Sequence, residues 1–374
     1  MALSSVLAVA MLAWNPQVGD LAAQVFRTEL FQRGGLAIWN GSWYGGHYTL
    51  TYSVLFPPLA AVAGPRLVGM LAVIASSYLF DRLVRDRWGQ AARPATLWFA
   101  AGVVTLLADG QLTFALGVAL ALASLRFLQT SRSRLALAAA AACALASPVA
   151  AAFLAGVVAA GSLQRGRPVN RVALGVSALA LGLVLIPNMA FPEPSLFPFA
   201  FSSYIAIPLW CAGTLYITRD LAGAERQLRR VVACYLLAST LLWLLPNPVG
   251  GNAVRLGALF GGPVLAAVLL AHRPRVAGWA LALFMAGSLY WQLTASVAQI
   301  ARSVGDPSTT AAYFHPAARW LREHGGAERR IEVPPTANHW EAAYLAPGFE
   351  LARGWLRQLD TTRDDIFYDG GPLT

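Results

Sequence analysis

The sequence contains no lysine. All 28 of its basic residues are arginine, set against 18 acidic residues, and charged side chains occupy only 12% of the 374 positions. Soluble domains carry roughly 25% charged residues, so an ordinary soluble class is excluded. The net charge of +10 does not indicate nucleic acid, because the arginines punctuate apolar runs and are not gathered with aromatics on one soluble face. Cysteine is scarce as well. Cys143, Cys211 and Cys234 lie inside or beside apolar runs and offer neither a disulfide framework nor metal-ligand spacing. The P-loop, GxGxxG, GxSxG and HExxH patterns are absent too.

What fills the chain is hydrocarbon. Hydrophobic residues make up 57% of it and the mean hydropathy is +0.54. Apolar runs of about 15 to 28 residues recur as far as Leu293, the pattern of an all-α polytopic membrane protein. The breaks between runs are of two kinds. Arginine-rich breaks hold Arg82/Arg85/Arg87/Arg93, Arg126/Arg132/Arg134, Arg165/Arg167/Arg171, Arg219/Arg226/Arg229/Arg230 and Arg273/Arg275; arginine-poor breaks fall at 108–111, 187–198 and 246–252. They alternate, so the positive-inside bias places the first kind in the cytoplasm and the second outside. Spans are expected near 1–18, 66–82, 95–108, 112–127, 171–188, 200–217, 230–246, 254–271 and 276–297. The run 134–164 is broken at Ser147-Pro148 and fits two short helices or a re-entrant pair. Nine or eleven crossings result, with the N-terminus in the cytoplasm of a plasma-membrane protein. A competing reading makes residues 1–10 a signal peptide cleaved after Ala8-Val9-Ala10, although no basic region precedes it.

This topology yields a transmembrane domain over 1–300, whose first outer loop is 15–52, and a tail over 301–374. The loop opens with Asp20, then an amphipathic stretch 21–32 suited to the interface. Next come Trp39, Asn40, Trp43, Tyr44, His47, Tyr48 and Tyr52 among five glycines. Such aromatics form either a headgroup belt or a ligand platform, and His47 either hydrogen-bonds within the loop or meets a ligand. Pro57-Pro58 points to a short interfacial helix. Asp109-Gly110-Gln111 joins two short runs, an arrangement that sets polar groups into a thinned, water-lined region. Asn252 and Arg255 stand at the outer start of a span behind Gly250-Gly251. Free N–H groups and a guanidinium there suit a phosphate, or else the arginine snorkels to lipid headgroups. The tail, with helix-like 317–324 and strand-like 329–335, reads as an incomplete small α/β outer segment. Its His315, His339, Glu341 and Asp360 match no ligand spacing and read as surface polar residues.

Taken together, Gly19-Asp20, the Trp-Asn and Gly-Gly loop, Pro57-Pro58-Leu59, GQLTFALG (110–117), ASPVA (146–150), GGNAVRLG (250–257), NHWEA (338–342) and RGW (353–355) resemble polytopic GT-C-type glycosyltransferases, most closely actinobacterial membrane proteins of that superfamily. The resemblance implies a polyprenyl-phosphate sugar donor drawn from membrane lipid, and an extracytoplasmic acceptor that is an envelope glycan or glycolipid. It casts Asp20 as the acid that activates the acceptor or holds a divalent metal ion. On the motif reading above, Trp39, Asn40, Trp43, His47, Asp109, Gln111, Asn252 and Arg255 are the expected substrate contacts. The sequence departs from the pattern in lacking a second acid beside Asp20, since Leu21 follows and the next is Glu29. A non-catalytic envelope-polysaccharide scaffold and a lipid-linked sugar transporter or flippase are the rival readings. The transferase reading requires Asp20, the tryptophans and Arg255 to meet in one hollow.

Overall fold

The computed structural model describes residues 1–162, 170–193, 195–221, 225–272 and 276–364. The arginine breaks at Arg165/Arg167 and Arg273/Arg275, and the end of the tail, lie outside the described residues. The chain is a helical, polytopic membrane protein. It begins with α1 (Ala2–Trp14) and α2 (Gly19–Gly34), bent from one another by 79°. A hairpin of β1 (Trp39–Asn40) and β2 (His47–Tyr48) leads to α3 (Phe56–Ala63), α4 (Pro65–Trp88), α5 (Arg93–Gly102), α6 (Thr105–Ala108) and α7 (Leu112–Gln129). Then follow α8 (Ser133–Ala146), α9 (Pro148–Ser162), α10 (Arg171–Ala190), α11 (Phe201–Tyr204), α12 (Ala206–Ile217), α13 (Glu225–Leu244), α14 (Val254–His272) and α15 (Gly278–Ser303). The tail adds α16 (Ala311–Glu323), β3 (Arg330–Ile331), α17 (Glu341–Tyr344), β4 (Glu350–Leu351) and α18 (Arg357–Arg363).

Among the described residues, six helical segments are long and apolar enough to cross a membrane, seven if the bent pair α1–α2 is one span. The run 134–164 does divide, into α8 and α9. The helix breaks at Ser147, whose backbone is extended before Pro148, and the Leu145 carbonyl near the end of α8 accepts from the amides of Val54 and Leu55, both at 2.9 Å. The break thereby anchors the segment that enters α3. Pro57 and Pro58 sit in the first turn of α3, where an absent N–H costs nothing.

Helices approach closely where side chains are small. A Cβ on Gly117 of α7 would lie 2.7 Å from the Cβ atoms of Ala150 and Ser147, so the glycine sets how near α7 comes to the α8–α9 break. Phe80 of α4 stacks on Phe99 of α5 at 4.0 Å, and Phe99 on Phe260 of α14 at 5.3 Å. Gln292 of α15 accepts from the Trp98 indole at 2.7 Å and donates to the Leu259 carbonyl at 3.2 Å, tying α5, α14 and α15 together. In hydrocarbon such a buried amide must be fully engaged, as it is here.

The tail is a set of short elements, its strand-like stretch reduced to a two-residue parallel pairing of β3 with β4. It docks on the first loop through a parallel bridge between Leu351 and Trp43. Glu341 and Asp360 are not surface residues but buried ones: Glu341 accepts from the Thr336 hydroxyl at 2.6 Å, and Asp360 from Arg353 at 2.8 and 2.6 Å.

Gly117→Leu is expected to lower the thermal unfolding midpoint in detergent, at a cost of about 1–3 kcal/mol from overpacking. Gly156→Leu, at a position with nothing within 4 Å, is expected to leave that midpoint unchanged in the same assay.

Candidate active site at the α1–α2 break

Helix α1 ends at Asn15, which takes the left-handed conformation at φ 55°. The chain then runs Pro16–Val18 and starts α2 at right angles, so the carbonyls in between have no helical partners. Distant donors engage two of them, and a third meets the carbonyl of Gly19 at the start of α2. Arg66 at the start of α4 donates to the Pro16 carbonyl at 2.7 Å, the Trp340 indole to Gln17 at 3.2 Å and the Trp355 indole to Gly19 at 3.1 Å. Trp340 is 2% exposed, so its ring is also core. A Cβ on Gly19 would sit 3.1 Å from Gln299 Nε2, and Gln299 donates to Asn338, which in turn donates to Asp306 at 2.8 Å. Asp20 is thus presented in the first turn of a helix whose start is held from four directions.

The second side of the site is the 109–111 turn. Gly110 has φ 73°, and a Cβ there would lie 2.5 Å from the Leu21 amide nitrogen and 3.1 Å from the Asp20 carbonyl carbon. Only glycine allows this approach, and it brings Asp109 against Asp20. The third side is the first turn of α14, where Arg255 places Nη2 3.9 Å from Asp20 Oδ2 and its guanidinium over the Phe114 ring at 5.3 Å. Asp20 and Arg255 are both part-buried, at 33% and 28% side-chain exposure. Asn252 is buried one turn earlier. Gln111 is half-buried, with its amide on the Leu106 carbonyl at 2.9 Å.

Burial dominates the electrostatics. It raises the Asp20 carboxyl above its ordinary range, against the opposing pull of Arg255 and then His339. Asp109 is pushed up to about 7 by burial, with the Asp20 charge adding to the shift and Ser296 and Arg255 opposing it. Its Oδ1 is buried without a hydrogen-bond partner, which also favours the neutral form. Burial thus holds both acids above the ordinary carboxylate range. His339, with φ 55° and Nδ1 3.3 Å from Glu341 Oε1, joins the site from the tail. The spacing of its sequence neighbours gave no sign of this. A resident divalent ion does not fit these residues: two carboxylates face a guanidinium, and no three His, Cys, Asp or Glu side chains converge among the described residues.

Other residues expected to touch substrate lie elsewhere. Trp43 is 0% exposed, sandwiched between Phe26 at 4.3 Å and His47 at 5.5 Å, so its faces are unavailable to a sugar. His47 is 1% exposed, and burial, then Arg27 and Arg363, pull it down to about 3; it is a neutral core residue. Asn40 is 4% exposed and accepts from the Ser42 amide at 3.1 Å, turning the hairpin tip. Trp39 is 49% exposed, edge-on to Tyr48 at 4.9 Å and covering Gly46. The hairpin is a buttress built on α2, with Trp39 its outward aromatic.

The chain matches no known family model, no curated protein and no solved structure.

Two outcomes follow from this geometry. Gly110→Ala forces a side chain into the left-handed region against the α2 backbone and is expected to cost about 1–3 kcal/mol, read as a lower unfolding midpoint. A carboxyl whose folded pKa is raised favours the folded state until pH climbs through that pKa. Stability should therefore decline between about pH 4, the ordinary aspartate range, and pH 7, and Asp109→Asn should flatten that decline in a pH series of chemical unfolding.

Proposed function

We propose that the protein is a membrane glycosyltransferase that moves a sugar from a polyprenyl-phosphate donor to an extracytoplasmic glycan or glycolipid acceptor. The observation that carries this reading is the pairing of Asp20 with Arg255 at 3.9 Å, on a helix start pinned from outside and beside a second acid, Asp109. The second acid missing next to Asp20 in sequence comes from the 109–111 turn. The proposed topology has nine or eleven crossings, with the N-terminus in the cytoplasm and the site and the small α/β tail outside.

In this scheme the donor phosphate takes the Arg255 guanidinium from Asp20, as a bidentate partner it grips better than a lone carboxylate oxygen. Losing that counter-charge makes Asp20 more basic. Asp20 then takes the acceptor hydroxyl proton while the oxygen attacks the anomeric carbon from the face opposite the phosphate. The bond from the anomeric carbon to the phosphate oxygen breaks, and its electron pair leaves with the polyprenyl phosphate. Arg255 stabilises the charge that develops there. One displacement inverts the anomeric centre. Asp109, pushed up to about 7 by burial, can in its protonated form donate a hydrogen bond to the sugar without competing for Arg255. Trp39 stands outward on the hairpin as the aromatic available to an acceptor.

The test is transfer from labelled polyprenyl-phosphate sugars by purified protein in detergent or nanodiscs. Asp20→Asn should lower turnover by about 10²–10⁴-fold and Arg255→Ala by about 10²–10³-fold. Full activity in Asp20→Asn would end the proposal. Activity should rise with pH on the acid side, because the base must be ionised.

A further inference from the structure

A second space in the bundle lies away from the acids. A cavity of about 660 Å³ lies between α4, α7, α9, α13 and α14, within the size range of ligand sites. Along α7 it is lined from Phe114 to Gln129, about 22 Å at 1.5 Å per residue, most of the 30 Å hydrocarbon thickness. Its wall is hydrocarbon along most of that length, and its polarity is one-sided. Arg87, Gln129, Asn170 and Gln227 line one end, the end of the bundle that also carries Arg82 and the ion pairs Arg85–Asp81 and Arg126–Asp86. The opposite end is Phe114, 2% exposed, which separates the cavity from Arg255 above its ring. The side-chain amide of Gln227 already donates to the Gly161 carbonyl at 3.1 Å, so the rim between α9 and α13 is fixed.

An amphiphile filling this space must place its head at the polar, basic rim and its tail towards Phe114. We infer that the cavity takes one acyl chain of an anionic phospholipid from the leaflet at the arginine-rich end, with its phosphate at Arg87. The charge fits an anionic headgroup. The dimensions fit one chain: a disordered chain reaches about half of the 30 Å core and an extended one more. This lipid is separate from any sugar donor. Its head is at the far end of the bundle from Asp20, so the inference does not rest on the transferase reading. It makes the lipid a filler that holds α13 against α7 and α9, where the described residues leave side chains facing across open space.

The experiment uses the full chain in nanodiscs containing phosphatidylglycerol with a photoactivatable diazirine either near the glycerol or at the chain end. The glycerol-proximal probe should label 125–129 and 227–232, and the chain-end probe 114–118 and 150–154. Native mass spectrometry should show one retained phosphatidylglycerol per chain. Ala121→Trp, which fills the middle of the cavity, should abolish it. Arg87→Glu, at an exposed position whose guanidinium lies over the Trp88 ring, should weaken retention of phosphatidylglycerol by at least about tenfold, the loss of a charge-assisted contact, while sparing phosphatidylcholine. Labelling of reversed polarity, retention of a polyprenyl phosphate in place of phospholipid, or no loss in either variant overturns the inference.

Discussion

The structure depends on how a membrane chain turns a corner. Backbone carbonyls released from a helix near the bilayer must find donors, because lipid supplies none. At 15–19 the chain leaves α1, bends by 79° and begins α2, freeing carbonyls that Arg66, Trp340 and Trp355 capture. Each of these hydrogen bonds is worth about 0.5–1.5 kcal/mol net. Their larger effect is geometric: together they fix the direction in which Asp20 leaves the helix. The same logic recurs at Pro148, where the carbonyl of Leu145 becomes the anchor for the first loop. In both places a broken helix positions the segment beside it.

The charge arrangement follows from that corner. Asp20 gains an anion-favouring helix start and the nearby Arg255, yet burial outweighs both and its carboxyl is raised. Asp109 is shifted for the same reason and reinforced by its neighbour. Two acids held beside one guanidinium share a charge deficit that can be redistributed when a second anion arrives. That is a property of groups with perturbed ionisation at a site, and it separates this cluster from Asp360 with Arg353 or Asp306 with Asn338, which are saturated by their partners.

Much of the architecture was legible in the sequence. Hydropathy and arginine spacing announced a polytopic bundle, Ser147-Pro148 marked a break and Pro57-Pro58 a short helix. The meeting of Asp20 with Arg255 could be anticipated because the reading placed Asp20 on the first outer loop and Arg255 at the outer start of a span. The hairpin could not be read. Aromatics among glycines describe a platform and a packed corner equally well, and only the register Asn40↔His47, with Trp43 stacked on Phe26, distinguishes them. Asp109 was visible as a turn acid, but its approach to Asp20 depends on a missing Cβ at Gly110 and on helix packing. His339, Trp340 and Trp355 were part of short motifs whose purpose is tertiary: they reach back more than three hundred positions, beyond any local pattern.

That long reach has a consequence for biosynthesis. As a nascent chain emerges from the N-terminal end, α1, α2 and Arg66 are made early, whereas both indoles that grip the corner arrive only after α15 has been inserted. Until then the carbonyls of Gln17 and Gly19 have no donors from the tail, and Arg66 alone holds the corner. The start of α2 is therefore fixed in full only after the segment that follows α15 has been made and has folded back on the first loop.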